Sequence, residues 1–470
     1  MDSTTRDALD AIHATVGTAG CVADPGPYLR EWRGHYHGRA ATVVAPGSTA
    51  EVASVVGICA AAGLAVVPQS GNTGLCGGAA PSEDGSQVLL SLRRMNRIRE
   101  VDPGGDTLTA EAGCILADVQ RAAADVDRLF PLSLAAEGSC MLGGNLATNA
   151  GGLNVLRYGN ARALCLGLEV VLPDGRIWSG LRRLRKDNSG YDLRDLFIGA
   201  EGTLGVITAA VLRLYPRPRQ HHTALLAVPD PATAVALLPA LHAAGGEALS
   251  ACELMSRTSL EMALHHVEGC HDPLDRAWPW YVLVEWSSAA TGGGLGEAVE
   301  AALEQGLADG RIDDAVIAAS EAQRRALWRL RESIPEGQTR DGASLKHDVS
   351  VPIGAIPALL EGAQARLAAA FPGARPCPFG HLGDGNIHLN VSQPRDADGT
   401  AFRAEAHRCR ALIHDLVLEH EGSFAAEHGV GQLKADELLR RRGGVELEMM
   451  RAIRHALDPA GIMNPGKVVL

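Results

Sequence analysis

Between Pro68 and Gly78 the chain reads PQSGNTGLCGG, and between Gly138 and Gly152 it reads GSCMLGGNLATNAGG. Four glycines stand with Asn72 and Thr73 from Ser70 to Gly78, and five stand with Ser139, Asn145, Thr148 and Asn149 in the second stretch. Backbones built this way reach φ > 0, bring successive N–H groups close to a ligand and form an anion nest, to which small hydroxyl and amide side chains add donors. A diphosphate fits that description. One such segment alone reads equally well as a tight loop; two in one region favour the ligand. Neither contains GxGxxG, nor GxxxxGK followed by Ser or Thr, so a nicotinamide fingerprint and a P-loop are both absent.

The surroundings of these loops alternate helix and strand. Val52, Val55, Val56, Cys59 and Ala60 recur at helical spacing from Thr49 to Leu64, and Ala65–Val67 is β-leaning before Pro68. Gln87–Leu92 and Thr107–Ala112 read as strands, Ile115–Leu129 as a helix, and Gly167–Trp178 as a hairpin turning at Pro173-Asp174-Gly175. The YPRP run, Tyr215 to Pro218, ends regular structure and marks a domain boundary near Arg219. Beyond it, Ala232–Ala244, Glu321–Ile334 and Ile356–Ala370 read as helices and Tyr281–Trp286 as a strand, an α+β rhythm. After Glu421 the chain turns Gly-rich again, EGSFAAEHGVGQ, then predicts a helix over about Ala435–Leu457 before the terminal NPGKVVL.

Composition narrows the function classes. At 470 residues, two or three domains with ample core are expected. Lys plus Arg (43) against Asp plus Glu (55) gives a net charge of −12, which opposes binding to a nucleic-acid backbone. Ten cysteines without a CxxC pair or metal quartet suggest reduced thiols. Met1 to Ala11 is polar, and no apolar run reaches the ~18 residues a bilayer span requires. The expectation is a soluble, cytoplasmic protein.

In GHLGDGNIHLNV, Gly380 to Val391, His381 and His388 flank a Gly-rich turn that folds one towards the other. In a strand from Asn386, the side chains of Asn386, His388 and Asn390 share one face while Ile387 and Leu389 enter the core. Glu427-His428, set before Gly429-Val430-Gly431, adds a carboxylate and a third imidazole from a loop. His381, His388 and Glu427 with an open position form the pattern of a catalytic zinc site. Arg331, on a predicted helix, and Lys346, in SLKHDVSVP, offer a two-point clamp and a point charge for a carboxylate, though each also reads as an ordinary surface cation. On these residues alone, a metal-dependent hydrolase using bound water as its nucleophile stands beside an oxidoreductase.

The chain resembles the vanillyl-alcohol oxidase/p-cresol methylhydroxylase flavoprotein superfamily, in particular its D-lactate and D-2-hydroxyglutarate dehydrogenase branch. The resemblance is carried by the two Gly-rich segments with RYGN after the second, GAEGTLGVIT at Gly199–Thr208, GHLGDGNIHLN, EHGVG and NPGK, in the family's order across nearly the whole chain. It implies an α+β protein with a two-part FAD-binding domain, residues 1–218, a central substrate-binding cap domain containing an antiparallel sheet, 219–420, and a C-terminal segment, 421–470, returning to the FAD and active-site region. FAD, bound noncovalently, would be held by Pro68, Ser70, Gly71, Asn72, Thr73, Gly74, Pro131, Gly138, Ser139, Gly143, Gly144, Asn145, Thr148, Asn149, Gly151, Gly152, Gly202, Val206, Ile207 and Asn464.

The same resemblance implies that His381, His388 and Glu427 ligate a divalent metal, zinc being expected. It makes His428 the catalytic base and a substrate contact, and Arg331, Lys346 and Asn390 further substrate contacts. Where 2-hydroxyglutarate enzymes often carry a threonine four residues after the arginine, this chain has Pro335, which offers no hydroxyl. The implied reaction is oxidation of a D-2-hydroxy acid, D-2-hydroxyglutarate first, to the 2-oxo acid by proton abstraction and hydride transfer to flavin. D-lactate or a D-malate-like acid is the alternative substrate, and a non-catalytic FAD-binding subunit of a larger complex is the alternative from another class. Expected partners are the small-molecule acid, an external electron acceptor (an electron-transfer flavoprotein or a quinone-like carrier) and a second copy in a homodimer.

Overall fold

Thr42–Val44, Val66–Gln69 and Val88–Ser91, short runs rich in Val and Leu, form a parallel three-stranded sheet with Val88–Ser91 in the middle. The crossover between the first two is the helix Thr49–Ala62, capped by Ser48, whose side chain accepts from the Glu51 N–H, and stopped by Gly63 at φ +66°. Its apolar stripe, Val52, Val55, Val56 and Cys59, is fully buried with Leu9, Ile12 and Val16 of the first helix. The computed structural model describes residues 3–470; Met1 and Asp2 of the polar N-terminal stretch lie outside the described residues.

The chain divides into two compact units. The first comprises residues up to Gly152, Gly159–Arg217 and Glu427–Leu470. Besides the parallel sheet it holds a five-stranded antiparallel sheet in the order Ile98–Asp102, Thr107–Glu111, Val206–Arg213, Cys165–Val171, Ile177–Gly180. The strand Val66–Gln69 leads into the first Gly-rich segment, the second holds the short helix Leu142–Ala147, and the EGTLG loop leads into the strand Val206–Arg213.

The second unit comprises Leu153–Tyr158 and Pro218–Ala426. Its eight-stranded sheet is antiparallel, with Gln220–Val228, Trp280–Ser288, Leu249–Ser256, Arg375–His381 and Asn386–Ser392 as successive neighbours. Alternation along each strand separates two cores. Leu226, Val228, Leu254, Val282 and Val284 pack on one face with Leu237, Leu241, Val299 and Leu359 from helices. Leu225, Ala227, Met255, Tyr281 and Leu283 pack on the other with Leu260, Leu327, Trp328 and Ile334. Trp286 is fully buried in the first core and its indole N–H donates to the Leu241 carbonyl at 3.0 Å. Trp286→Ala is therefore expected to cost about 3–5 kcal/mol of stability, read as a lowered melting temperature.

Four boundaries differ from the sequence reading. The helix expected to run to Leu129 ends at Ala124, because the chain reverses through Asp127 at φ +59° and Arg128–Leu129 pairs with Tyr215–Pro216 as a short strand. The helix expected over Ala435–Leu457 is two, Ala435–Arg441 and Val445–Leu457, parted by Gly443 and by Gly444 at φ +64°. The return to the first unit comes at Glu427, later than the expected Glu421, since Ser423 bridges to Ser350 and Phe424 packs on His414. Leu153–Tyr158, inside the expected FAD region, belongs to the second unit, where Arg157 donates to the Ser287 hydroxyl at 2.8 Å and Leu156 lies against Gly383.

Candidate functional site

In the first unit a cleft lies against both Gly-rich segments. Pro68, residues 70–74, Gly143, Gly144, Asn145, Thr148, Gly202, Val206 and Ile207 line it, together with His428. Gly71 lets the two loops meet: a Cβ there would lie 2.7 Å from the Ser139 carbonyl oxygen and 2.9 Å from the Met141 nitrogen. At Gly74 a Cβ would meet nothing within 4 Å, so the backbone itself borders open space. Asn145 is buried, yet among the described residues its Nδ2 meets only the Cys140 sulfur, a weak acceptor. A buried donor with only a weak acceptor and a glycine-lined cradle fit an anionic, acceptor-rich cofactor such as FAD.

Other expected cofactor residues hold the loops rather than line the cavity. Asn464, at φ +42°, donates through Nδ2 to the Gly78 carbonyl at 3.0 Å and to the Glu201 carbonyl at 2.8 Å. Asn149, at φ +50°, accepts from the Arg162 N–H at 2.9 Å. Gly152 passes so close to Ser133 that a Cβ would overlap its carbonyl oxygen at 2.0 Å. Gly138 and Ser139 form the turn before Cys140, and Pro131 and Gly151 also stand outside the lining.

His428 reaches the cavity because its loop is fixed from two sides within the same unit. Glu201 accepts from the N–H groups of Val430 at 2.7 Å and Gly431 at 2.9 Å, and burial pushes its carboxyl upward from the usual range. Gly431, at φ +52°, sits where a Cβ would lie 2.1 Å from the Cys76 carbonyl oxygen, and Gln432 donates to the Gly77 carbonyl at 2.9 Å. Glu427 precedes His428, their side chains 4.0 Å apart.

In the second unit the hairpin Arg375–His381 and Asn386–Ser392 brings His381 and His388 together, their ring centroids 5.7 Å apart and nearly perpendicular. Ile387 and Leu389 are buried in the opposite core, as the alternation predicts. His381 Nδ1 lies 2.7 Å from Glu253 Oε1 and His388 Nδ1 lies 3.8 Å from Asp348 Oδ1. The Glu253 carboxylate draws the His381 proton to Nδ1 and makes its Nε2 the lone-pair nitrogen, the arrangement a histidine metal ligand needs.

Arg331 and Lys346 are not solvated surface charges. Arg331 is buried on the helix Glu321–Glu332, donates to Glu253 Oε2 through Nε at 2.9 Å and Nη2 at 2.8 Å, and stacks over Phe379. Lys346 donates to Gln338 Oε1, which also accepts from Asn390 Nδ2 at 2.9 Å, while Asn390 Oδ1 accepts from the His347 N–H at 3.0 Å. Pro335 occupies the first turn of the helix Ile334–Arg340, one turn before Gln338. Sequence reasoning missed Glu253, Gln338 and Glu201.

Residues 217–468 match the family model described as FAD linked oxidases, C-terminal domain, and residues 40–180 match FAD binding domain. The chain is 40% identical over 446 residues to the D-2-hydroxyglutarate dehydrogenase of Xanthomonas citri pv. viticola, covering 95% of this chain and 93% of that protein. It is 37% identical over 467 residues to the probable mitochondrial D-2-hydroxyglutarate dehydrogenase of Oryza sativa subsp. indica, covering 98% of this chain and 82% of that one. Among solved structures, substrate-bound p-cresol methylhydroxylase aligns with a TM-score of 0.76 at 18% identity, covering 100% of this chain and 98% of that one. The fold is accordingly the α+β fold of vanillyl-alcohol oxidase/p-cresol methylhydroxylase flavoproteins.

Proposed function

We propose, for a chain that belongs to the FAD-linked oxidase family together with the D-2-hydroxyglutarate dehydrogenases, that it is an FAD-dependent dehydrogenase oxidising D-2-hydroxyglutarate to the 2-oxo acid. The observation that carries this reading is the clustering, on one face of the second unit's sheet, of two imidazoles, His381 and His388, with two cations, Arg331 and Lys346. Two cations suit an acid with two carboxylates, and an imidazole pair suits a divalent ion beside its hydroxyl.

FAD, cradled by the Gly-rich loops, supplies the two-electron acceptor when bound. A divalent cation held by His381, His388 and Glu427, zinc being expected, would supply Lewis acidity. Arg331 and Lys346 bind carboxylate oxygens, and Asn390 orients the substrate between them. His428 takes the hydroxyl proton, work for which imidazole is suited near neutral pH. Electrons then pass to an external acceptor, an electron-transfer flavoprotein or a quinone-like carrier. The ten cysteines, none of them in a disulfide among the described residues, support a reducing, cytoplasmic setting. No helix among the described residues is long and apolar enough to cross a membrane.

Pro335, without a hydroxyl, favours a second reading in which a shorter acid, D-lactate or a D-malate-like acid, is preferred. An anaerobic flavin-reduction screen over D- and L-2-hydroxy acids of increasing length tests both. D-2-hydroxyglutarate is expected to bleach the flavin fastest, and L-enantiomers not at all. Faster bleaching by D-lactate would transfer the assignment to the shorter acid, and no bleaching by any D-2-hydroxy acid would leave a non-catalytic FAD-binding subunit.

A further inference from the structure

Glu253 lies in the strand Leu249–Ser256, in register with His381 of the neighbouring strand, and its side chain is 1% exposed. One carboxylate oxygen accepts from His381 Nδ1 at 2.7 Å; the other accepts from Arg331 Nε and Nη2 at 2.9 and 2.8 Å. Arg331 stacks on Phe379 with its guanidinium carbon 4.7 Å from the ring centroid, and Phe379 lies 5.0 Å from the His388 ring. A buried carboxylate surrounded in this way is retained only if its partners require it, since an unpaired charge here is strongly destabilising. Both carboxylate oxygens are thereby occupied as acceptors.

We infer that Glu253 is a positioning residue shared by two sites: it fixes the His381 tautomer that presents Nε2 to a divalent cation, and it fixes the plane in which Arg331 meets a substrate carboxylate. The inference rests on the metal reading proposed above. Its particular content is that one carboxylate sets both geometries, so that metal affinity and carboxylate binding fall together when it is changed.

Glu253→Gln discriminates because it is nearly isosteric yet replaces one acceptor oxygen with an NH₂ donor. That donor cannot face Arg331, so it turns to His381 and requires a lone pair at Nδ1. The proton then moves to Nε2, the nitrogen needed by the cation. Zinc affinity of the FAD-loaded protein, measured by competition with a chromogenic chelator, is expected to fall about 10- to 100-fold. The KM for D-2-hydroxyglutarate should rise in the same variant, with FAD content close to wild type. Glu253→Asp, which keeps the charge but retracts it by one methylene, should fall between the two and guards against a Gln variant that does not fold. Wild-type zinc affinity in folded, FAD-loaded Glu253→Gln or Glu253→Asp would overturn the inference while leaving the metal reading standing. A wild-type protein that takes up no zinc would overturn the metal reading and the inference with it.

Discussion

His428→Asn is expected to slow anaerobic flavin reduction by D-2-hydroxyglutarate by ~10²-fold or more, the scale of a lost general base, while the protein stays yellow. Asparagine approximates the imidazole's size and can still hydrogen-bond, but it takes no proton at neutral pH. The surrounding geometry makes the loss specific. His428 lines the flavin cavity, but its loop is held by main-chain groups: Glu201 accepts from Val430 and Gly431, and Cys76 accepts from the Gln432 N–H at 2.8 Å. Changing the side chain therefore leaves the loop and cavity intact, and FAD content should not change. Stopped-flow absorbance at saturating substrate reads the step directly. A wild-type rate constant in the variant would remove His428 from proton transfer, and a colourless variant would make it a cofactor-holding residue instead.

The parts of the site legible in sequence are those where chemistry restricts residue type locally. Close approach of backbone to a ligand favours small residues, so the loop Ser70–Gly74 and the short helix Leu142–Ala147 with Thr148 at its end stood out. Period-two alternation put His388 and Asn390 on one face of a strand, and the Gly-rich turn after His381 closed the hairpin. What stayed hidden was the set of partners distant in sequence. Glu253 sits in LSACELMS, buried along its whole length, where nothing local distinguishes a functional carboxylate; its partner His381 lies 128 residues away. Glu201 was visible only as part of a loop motif, because its bonds reach a segment 229 residues later. Gln338 reads as an ordinary polar helix residue until the fold brings Asn390 to it. Leu153–Tyr158 escaped for the same reason: its place is decided by Ser287 and Gly383, both far along the chain.

Exhaustive dialysis against a chelator is expected to abolish turnover, and one equivalent of zinc per chain is expected to restore it. An unactivated hydroxyl holds its proton roughly nine pK units more tightly than imidazole does, taking water as the reference, so a histidine base alone faces a steep uphill transfer. Bound zinc lowers the pKa of water to about 7, and comparable activation of a substrate hydroxyl would remove most of that gap. FAD retention separates the two functions, since the flavin cavity is lined only by first-unit residues, whereas His381 and His388 belong to the second. The apo-metal protein should therefore remain yellow, and mixing it anaerobically with D-2-hydroxyglutarate should leave the flavin oxidised until zinc is added. His381→Ala should reproduce the chelated state and resist rescue at zinc concentrations that restore the dialysed wild type. Full flavin reduction in a sample shown by elemental analysis to be metal-free would take the cation out of the reaction. His381 and His388 would then have to act on the substrate directly, His381 as a hydrogen-bond acceptor at Nε2.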